Sequence, residues 1–286
     1  MNTSQELRLL DEYLILKDYA KSTRECYATG LRQFFDYHKK EKLSLPFLQD
    51  HAKRYILYRY SQGKKWQTIN GDYSALRTYY QHIKGYEWDY WSLPRPRKEK
   101  HLPNILSKEQ ILQLINGAMM YKHQVMIALY YSTGMRLSEV LHLKISDIDG
   151  DRCQIHIRRG KGHKDRYVDI PKMMLEELRL YYQHYKPEVY LFAGKKAGSH
   201  LSPRAFQHGL NGAKEKAGII KQCSAHTLRH SYATHHLENG TALVYLQMML
   251  GHKHLKTTAK YIHLCQNYHL NVNHPIEKMA IKYRRD

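Results

Sequence analysis

Between His226 and His263 the chain places His226, Arg229, His252 and Tyr261 on what read as three short helices. His226 and Arg229 are three apart, so on a helix they share one face. Leu250-Gly251-His252 reads as a helix end followed by a tight turn, with His252 just beyond the glycine. Tyr261 follows His252 by nine residues. A guanidinium fork, imidazole donors and a phenol can converge here on one anion.

Two cations upstream extend the set. Arg136 lies in Thr133-Gly134-Met135-Arg136-Leu137-Ser138-Glu139. The glycine is expected to end one helix and Arg136 to open the next, where free N–H groups and the helix dipole favour phosphate. Glu139, one turn on, is placed to hold the guanidinium. Lys161 lies in Arg159-Gly160-Lys161-Gly162, between two runs that alternate as strands do, Gln154–Ile157 and Arg166–Ile170. Taken in order, these are an Arg in a G-x-R-x-x-E context, a hairpin Lys, an H-x-x-R box, a following G-H and a Tyr nine residues later. Together they resemble the tyrosine recombinase (phage integrase, Xer-like) family.

The resemblance implies a mainly α fold with a small β-sheet or hairpin. It would comprise an N-terminal helical core-binding (SAM-like) domain, residues 1–92, a linker, 93–104, and an α+β catalytic domain with a C-terminal exchange segment, 105–286. Arg136, Lys161, His226, Arg229, His252 and Tyr261 would be catalytic, with Tyr261 the nucleophile and Lys161 the general acid. Lys164 is the other lysine of that turn, and the family pattern favours the one inside G-K-G. Glu139 and His230 would support the site. The resemblance further implies double-stranded DNA held in a C-shaped clamp and a homotetramer on two recombination sites. A second recombinase or an accessory DNA-bending protein assists some members.

The chemistry explains the residue types. Exchanging strands without losing bond energy needs a covalent link, and a phenol leaves more readily than an alkoxide. Its pKa near 10 keeps it protonated at neutral pH, so its attack must be assisted. The transition state gathers charge on two non-bridging oxygens, which Arg136 and Arg229 suit as fixed, permanently charged forks. His226 and His252 would donate to the same oxygens, and one of them would help take the tyrosine proton. No carboxylate cluster suits Mg²⁺ and no G-x-x-x-x-G-K-[ST] loop is present, so no cofactor is expected. His226, His230, His235 and His236 have spacings that zinc can use, but there is no H-E-x-x-H and no cysteine at ligand spacing, so no metal is expected.

The chain has 286 residues with 46 Lys plus Arg against 26 Asp plus Glu, a formal net charge of +20. That excess favours a polyanionic partner. Residues 1–100 hold 19 basic and 12 acidic groups and residues 101–286 hold 27 and 14, so both parts are basic. Four scattered cysteines without a C-x-x-C pair read as reduced thiols, and no apolar run suits a membrane. A cytoplasmic, nucleoid-associated protein with no membrane partner is expected.

These residues must be held by helices. Ser22 with Glu25 reads as a capping box before a run bearing Tyr27, Leu31, Phe34 and Phe35, and Thr68 as an N-cap before Ile69, Tyr73, Leu76 and Tyr80. Ser107 with Gln110 reads as a second capping box, and residues 123–133 as an apolar core helix. The proline-rich, basic stretch from Ser92 to Pro103 stops helices, and its Arg95, Arg97 and Lys98 suit contacts to phosphates. A helix starting at Ser202-Pro203 would carry Arg204, Gln207, His208, Asn211 and Lys214 toward the major groove, as the resemblance implies. The tail after Cys265 reads as a polar linker and a short helix that would dock on a neighbouring protomer. The resemblance leaves two other functions as alternatives: a type IB topoisomerase-like nicking and resealing enzyme, and a DNA-binding regulator with an inactive recombinase fold.

Overall fold

A computed structural model describes residues 3–46, 48–97, 103–158 and 165–265. The chain divides into two compact units, Met1–His101 and Leu102–Asp286. Among the described residues no helix is long and apolar enough to cross a membrane.

The first unit is a helical bundle of α1 (Thr3–Leu16), α2 (Lys21–Lys40), α3 (Gln49–Ser61) and α4 (Trp66–Thr78), the last running on into a π-helical turn, Tyr79–Ile83. Apolar side chains at helical spacing meet inside: Leu10, Leu31, Phe34, Ile69 and Leu76 are fully buried. Tyr55, Tyr73, Tyr79 and Tyr80 join them, so these tyrosines serve packing. Two expected caps are corrected. Helix α2 starts at Lys21 with Ala20 at the N-cap, and α4 starts at Trp66 with Lys65 there; neither N-cap side chain bonds the backbone. A cap is worth only about 1 kcal/mol, and packing of the apolar helix faces outweighs it. Arg24 in the first turn of α2 pairs with Asp11, and the Trp66 indole N–H donates to the Pro96 carbonyl. Leu93 is buried in this unit and Arg95 donates to Asn70 and Ser74, so the near end of the proline-rich stretch is fastened down.

The second unit begins with α5 (Lys108–Gly117), α6 (Tyr121–Thr133) and the short α7 (Leu137–Leu141). The Ser107–Gln110 capping box is formed as the sequence suggests. A three-stranded antiparallel sheet follows: β1 (Ile148–Asp149), β2 (Gln154–Ile157) and β3 (Arg166–Asp169), in that order. Ile155 pairs with Val168 and Ile157 with Arg166, which turns the isoleucines and Val168 into the core. The expected hairpin is therefore present, with β1 added at its edge. Helices α8 (Lys172–Tyr185), α9 (Pro203–Lys216), α10 (Ala225–Glu238), α11 (Leu243–Leu250) and α12 (Leu255–Ala259) complete the unit. Ser202 caps α9 with Pro203 in its first turn, as expected.

Helix α10 is the central element. It is capped by a Ser224–Thr227 capping box, and ten of its fourteen residues are buried. Packing all round fixes its rotation, which fixes where its functional side chains point. A small separate cluster, Tyr232, Ala233, Leu237, Leu246 and Leu250, receives the ring of Tyr261.

Candidate functional site

The site forms where two helices end against α10. Helix α6 stops at Gly134, whose φ of +58° is left-handed, and α11 stops at Gly251 with φ +61°. Only glycine adopts this conformation freely. A Cβ on Gly134 would also lie 2.3 Å from the Tyr232 ring, and one on Gly251 2.9 Å from Arg166.

Helix C-termini leave backbone carbonyls without partners, and cations suit them. Here two arginines take that role. Arg229, 7% exposed on α10, donates to the Gly134 carbonyl and to the Leu250 carbonyl at 2.7 Å. Arg136, at the N-cap of α7, donates to the Gly251 carbonyl at 3.0 Å. Glu139 binds Arg136 twice, through the guanidinium at 2.9 Å and the backbone N–H at 2.7 Å. The expected Arg136–Glu139 pairing is thus present. Glu139 also receives both forks of Arg166 from β3, each at 2.8 Å. Burial alone would raise the Glu139 carboxyl, but the two arginines outweigh it and hold it at about 2.

His252 stands just past Gly251. Its Nε2 lies 3.2 Å from Arg229 Nη2 and its Nδ1 2.9 Å from Thr258 Oγ1. A guanidinium can only donate, so Nε2 accepts and the proton sits on Nδ1. Burial, then the nearby cations Arg229, Arg136, Arg166 and Lys260, lower its pKa to about 4, which agrees with a neutral ring.

Tyr261 is 5% exposed. Burial raises its pKa, against the pull of Arg229 and Arg136, so it is a protonated phenol at neutral pH. His230 Nδ1 lies 3.1 Å from the phenol oxygen. Burial, then His226, Arg229 and Lys260, lower His230 to about 4.

The structure therefore joins Arg136, Glu139, Arg229, His252, His230 and Tyr261 into one contact network. His226 lies at the exposed rim of α10, its ring 6.3 Å from that of His230. Lys161 and Lys164 fall outside the described residues, as do Lys98 and the tail after Cys265. Arg95, Arg97 and Arg204 are exposed. Gln207 is half-buried and donates to Asn211 and the Cys223 carbonyl, while Asn211 and Lys214 line a polar depression with Asn104, Ser224 and Thr227. His235 and His236 bond Tyr131 and Thr241, and among the described residues no group of three or more His, Cys, Asp or Glu is placed to hold a metal ion.

Two site residues escape sequence reading. Arg166 reads only as one position of an alternating strand, because its partner Glu139 is 27 residues away. Thr258 carries no signal beyond lying between His252 and Tyr261. His230 is more than a support for the box, since it touches the phenol itself.

A fold of this kind around a buried tyrosine and paired arginines defines a tyrosine-type DNA strand transferase. The chain belongs to the phage integrase family: residues 104–267 match the family and residues 7–90 match its N-terminal SAM-like domain. It is 33% identical to the tyrosine recombinase XerC of Anoxybacillus flavithermus, over 93% of this chain and 95% of that protein. It is 29% identical to XerC of Staphylococcus aureus, over 92% and 93%. In structure it is similar to the XerH site-specific recombinase bound to its difH substrate in a pre-cleavage complex, with a TM-score of 0.71 and 24% identity over 92% of this chain and 82% of that one. That likeness speaks for the fold.

Proposed function

We propose that this chain is a site-specific recombinase that cuts and rejoins double-stranded DNA through a 3′-phosphotyrosyl link and a Holliday junction. The outcome would be integration, excision, inversion or resolution. Tyr261 attacks the phosphorus, Arg136 and Arg229 clamp the non-bridging oxygens and His226 donates to them, and His252 joins it when the bound phosphate draws Nε2 away from Arg229 and a proton onto the ring. Glu139 and His230 support the set. Lys161 protonates the departing 5′ oxygen. The functional division we propose is a DNA core-binding domain over 1–92, a linker over 93–104 and a catalytic domain over 105–286. Both domains would contact the same duplex, and four copies would hold two sites.

One observation carries this reading. Unbroken contacts run from Arg136 through Gly251 and His252 to Arg229, and the Tyr261 phenol lies against the same set through His230 and the His252 ring, so fixed cations and imidazoles stand around it. Preorganised donors of this kind are typically worth a hundred- to a thousand-fold in rate each.

A covalent trapping assay tests it. The protein is incubated with nicked suicide duplexes carrying candidate sites, without metal or nucleotide, beside Tyr261→Phe. A denaturation-resistant protein–DNA band in wild type alone is expected. DNA binding with no band on any site would instead favour a regulator. Relaxation of supercoiled DNA without a specific site would favour a topoisomerase.

A further inference from the structure

We propose that His230 is the base that takes the Tyr261 proton as the phenol oxygen attacks phosphorus. This deepens the reading above and rests on Tyr261 being the nucleophile. The geometry selects His230 over the other two histidines. Its Nδ1 is 3.1 Å from the phenol oxygen, within reach for direct transfer. His252 stacks at 6.4 Å from the Tyr261 ring, but its nitrogens face Arg229 and Thr258. His226 is at the exposed rim, a ring further out.

The direction of the hydrogen bond follows from the neighbours. Arg229 and Arg136 lie near the phenol as cations that pull its pKa down against burial, so no acceptor is offered from their side. The phenol hydrogen therefore turns to His230, whose Nδ1 is the hydrogen-bond partner at 3.1 Å. The groups facing His230 are His226 and Arg229 on its own helix and Lys260 and Tyr261 on the segment after α12. With burial they keep the imidazole neutral, which leaves a lone pair on Nδ1 to receive the proton. A phosphate held by the arginines adds negative charge beside that ring and raises its basicity when it is needed.

The step balances. The Tyr261 O–H bond breaks, its electron pair forms the O–P bond, and the proton becomes N–H on His230. The 5′ oxygen leaves with the P–O pair and takes a proton from Lys161. In the reverse step His230 returns its proton to the phenol.

The test is single-turnover adduct formation from pH 5 to 9, with DNA binding measured in parallel, for wild type, His230→Ala, His230→Asn and Tyr261→Phe. The asparagine variant offers a hydrogen-bond acceptor near Nδ1 that does not titrate. The expected result is that both His230 variants bind DNA and form the adduct on the order of a hundredfold more slowly at pH 7. The wild-type rate levels off within the range, while the variants keep climbing as hydroxide takes over. Added imidazole partly restores the alanine variant. Asparagine at wild-type rate would overturn the proposal, showing that orientation alone suffices. So would an unslowed alanine variant, or a wild-type rate that climbs throughout, which needs no variant. An adduct that survives Tyr261→Phe overturns the nucleophile assignment itself and is recognised separately.

Discussion

Replacing Glu139 by glutamine probes how the arginines are held. The carboxylate takes both forks of Arg166, the Arg136 side chain and the Arg136 backbone N–H. Burial opposes its charge, yet these donors hold its pKa at about 2 against an ordinary 4.5. A folded pKa below the unfolded one stabilises the fold above pH 4.5, and that contribution is lost as pH falls toward 2. The side chain is only 7% exposed, so solvent screens little of it. At about 1.4 kcal/mol per pKa unit the contribution is roughly 3 kcal/mol at neutral pH. By pH 3 the same linkage leaves about 1.4 kcal/mol. Wild type should thus lose about 2 kcal/mol between pH 6 and pH 3 that Glu139→Gln does not lose. Histidine titrations occur in both proteins and cancel in the difference. For a unit of this size the variant should melt roughly 6–12 °C lower at pH 7. Calorimetric melting of both proteins in steps from pH 7 to pH 3 reads this directly. Equal melting at pH 7, or two pH curves that run parallel, would refute the reasoning.

Other perturbations read other parts of the site. Gly134→Ala should destabilise the second unit by about 2–4 kcal/mol in thermal melting, because φ of +58° and the Tyr232 ring both exclude a Cβ. Lys161→Ala should cleave slowly an ordinary duplex but near normally one with sulfur at the bridging 5′ position, since a thiolate leaves without a proton; equal slowing on both would remove Lys161 from the acid role. DNA affinity should fall with salt, and Arg204→Ala should reduce the slope of log K against log salt by about 1 without changing cleavage of bound DNA.

Much of this was legible in the sequence where the signal is local. Gly134 before Arg136 and Gly251 before His252 each read as a helix stop, and each is one in the fold, followed by a side chain of the contact network. The Ser107 and Ser202 caps and the hairpin strands are local too. The misread starts at Ser22 and Thr68 have a common cause. A cap motif supplies only about 1 kcal/mol, and packing of the apolar faces of α2 and α4 in the bundle outweighs it. Arg166 and Thr258 were invisible because their importance lies in partners met only after folding. His230 was legible as a neighbour of the site, but its distance to the phenol depends on how the segment after α12 turns back onto α10.

The anchoring of the arginines on Gly134, Leu250 and Gly251 carbonyls has a consequence for sequence drift. Every amino acid brings the same main-chain oxygen, so no exchange of side chain at these positions deletes the partner. Only a shift of a helix end can do so, and that risk is concentrated at two glycines. A lineage can therefore exchange side chains elsewhere on the surface of this unit while the two arginines stay where they are.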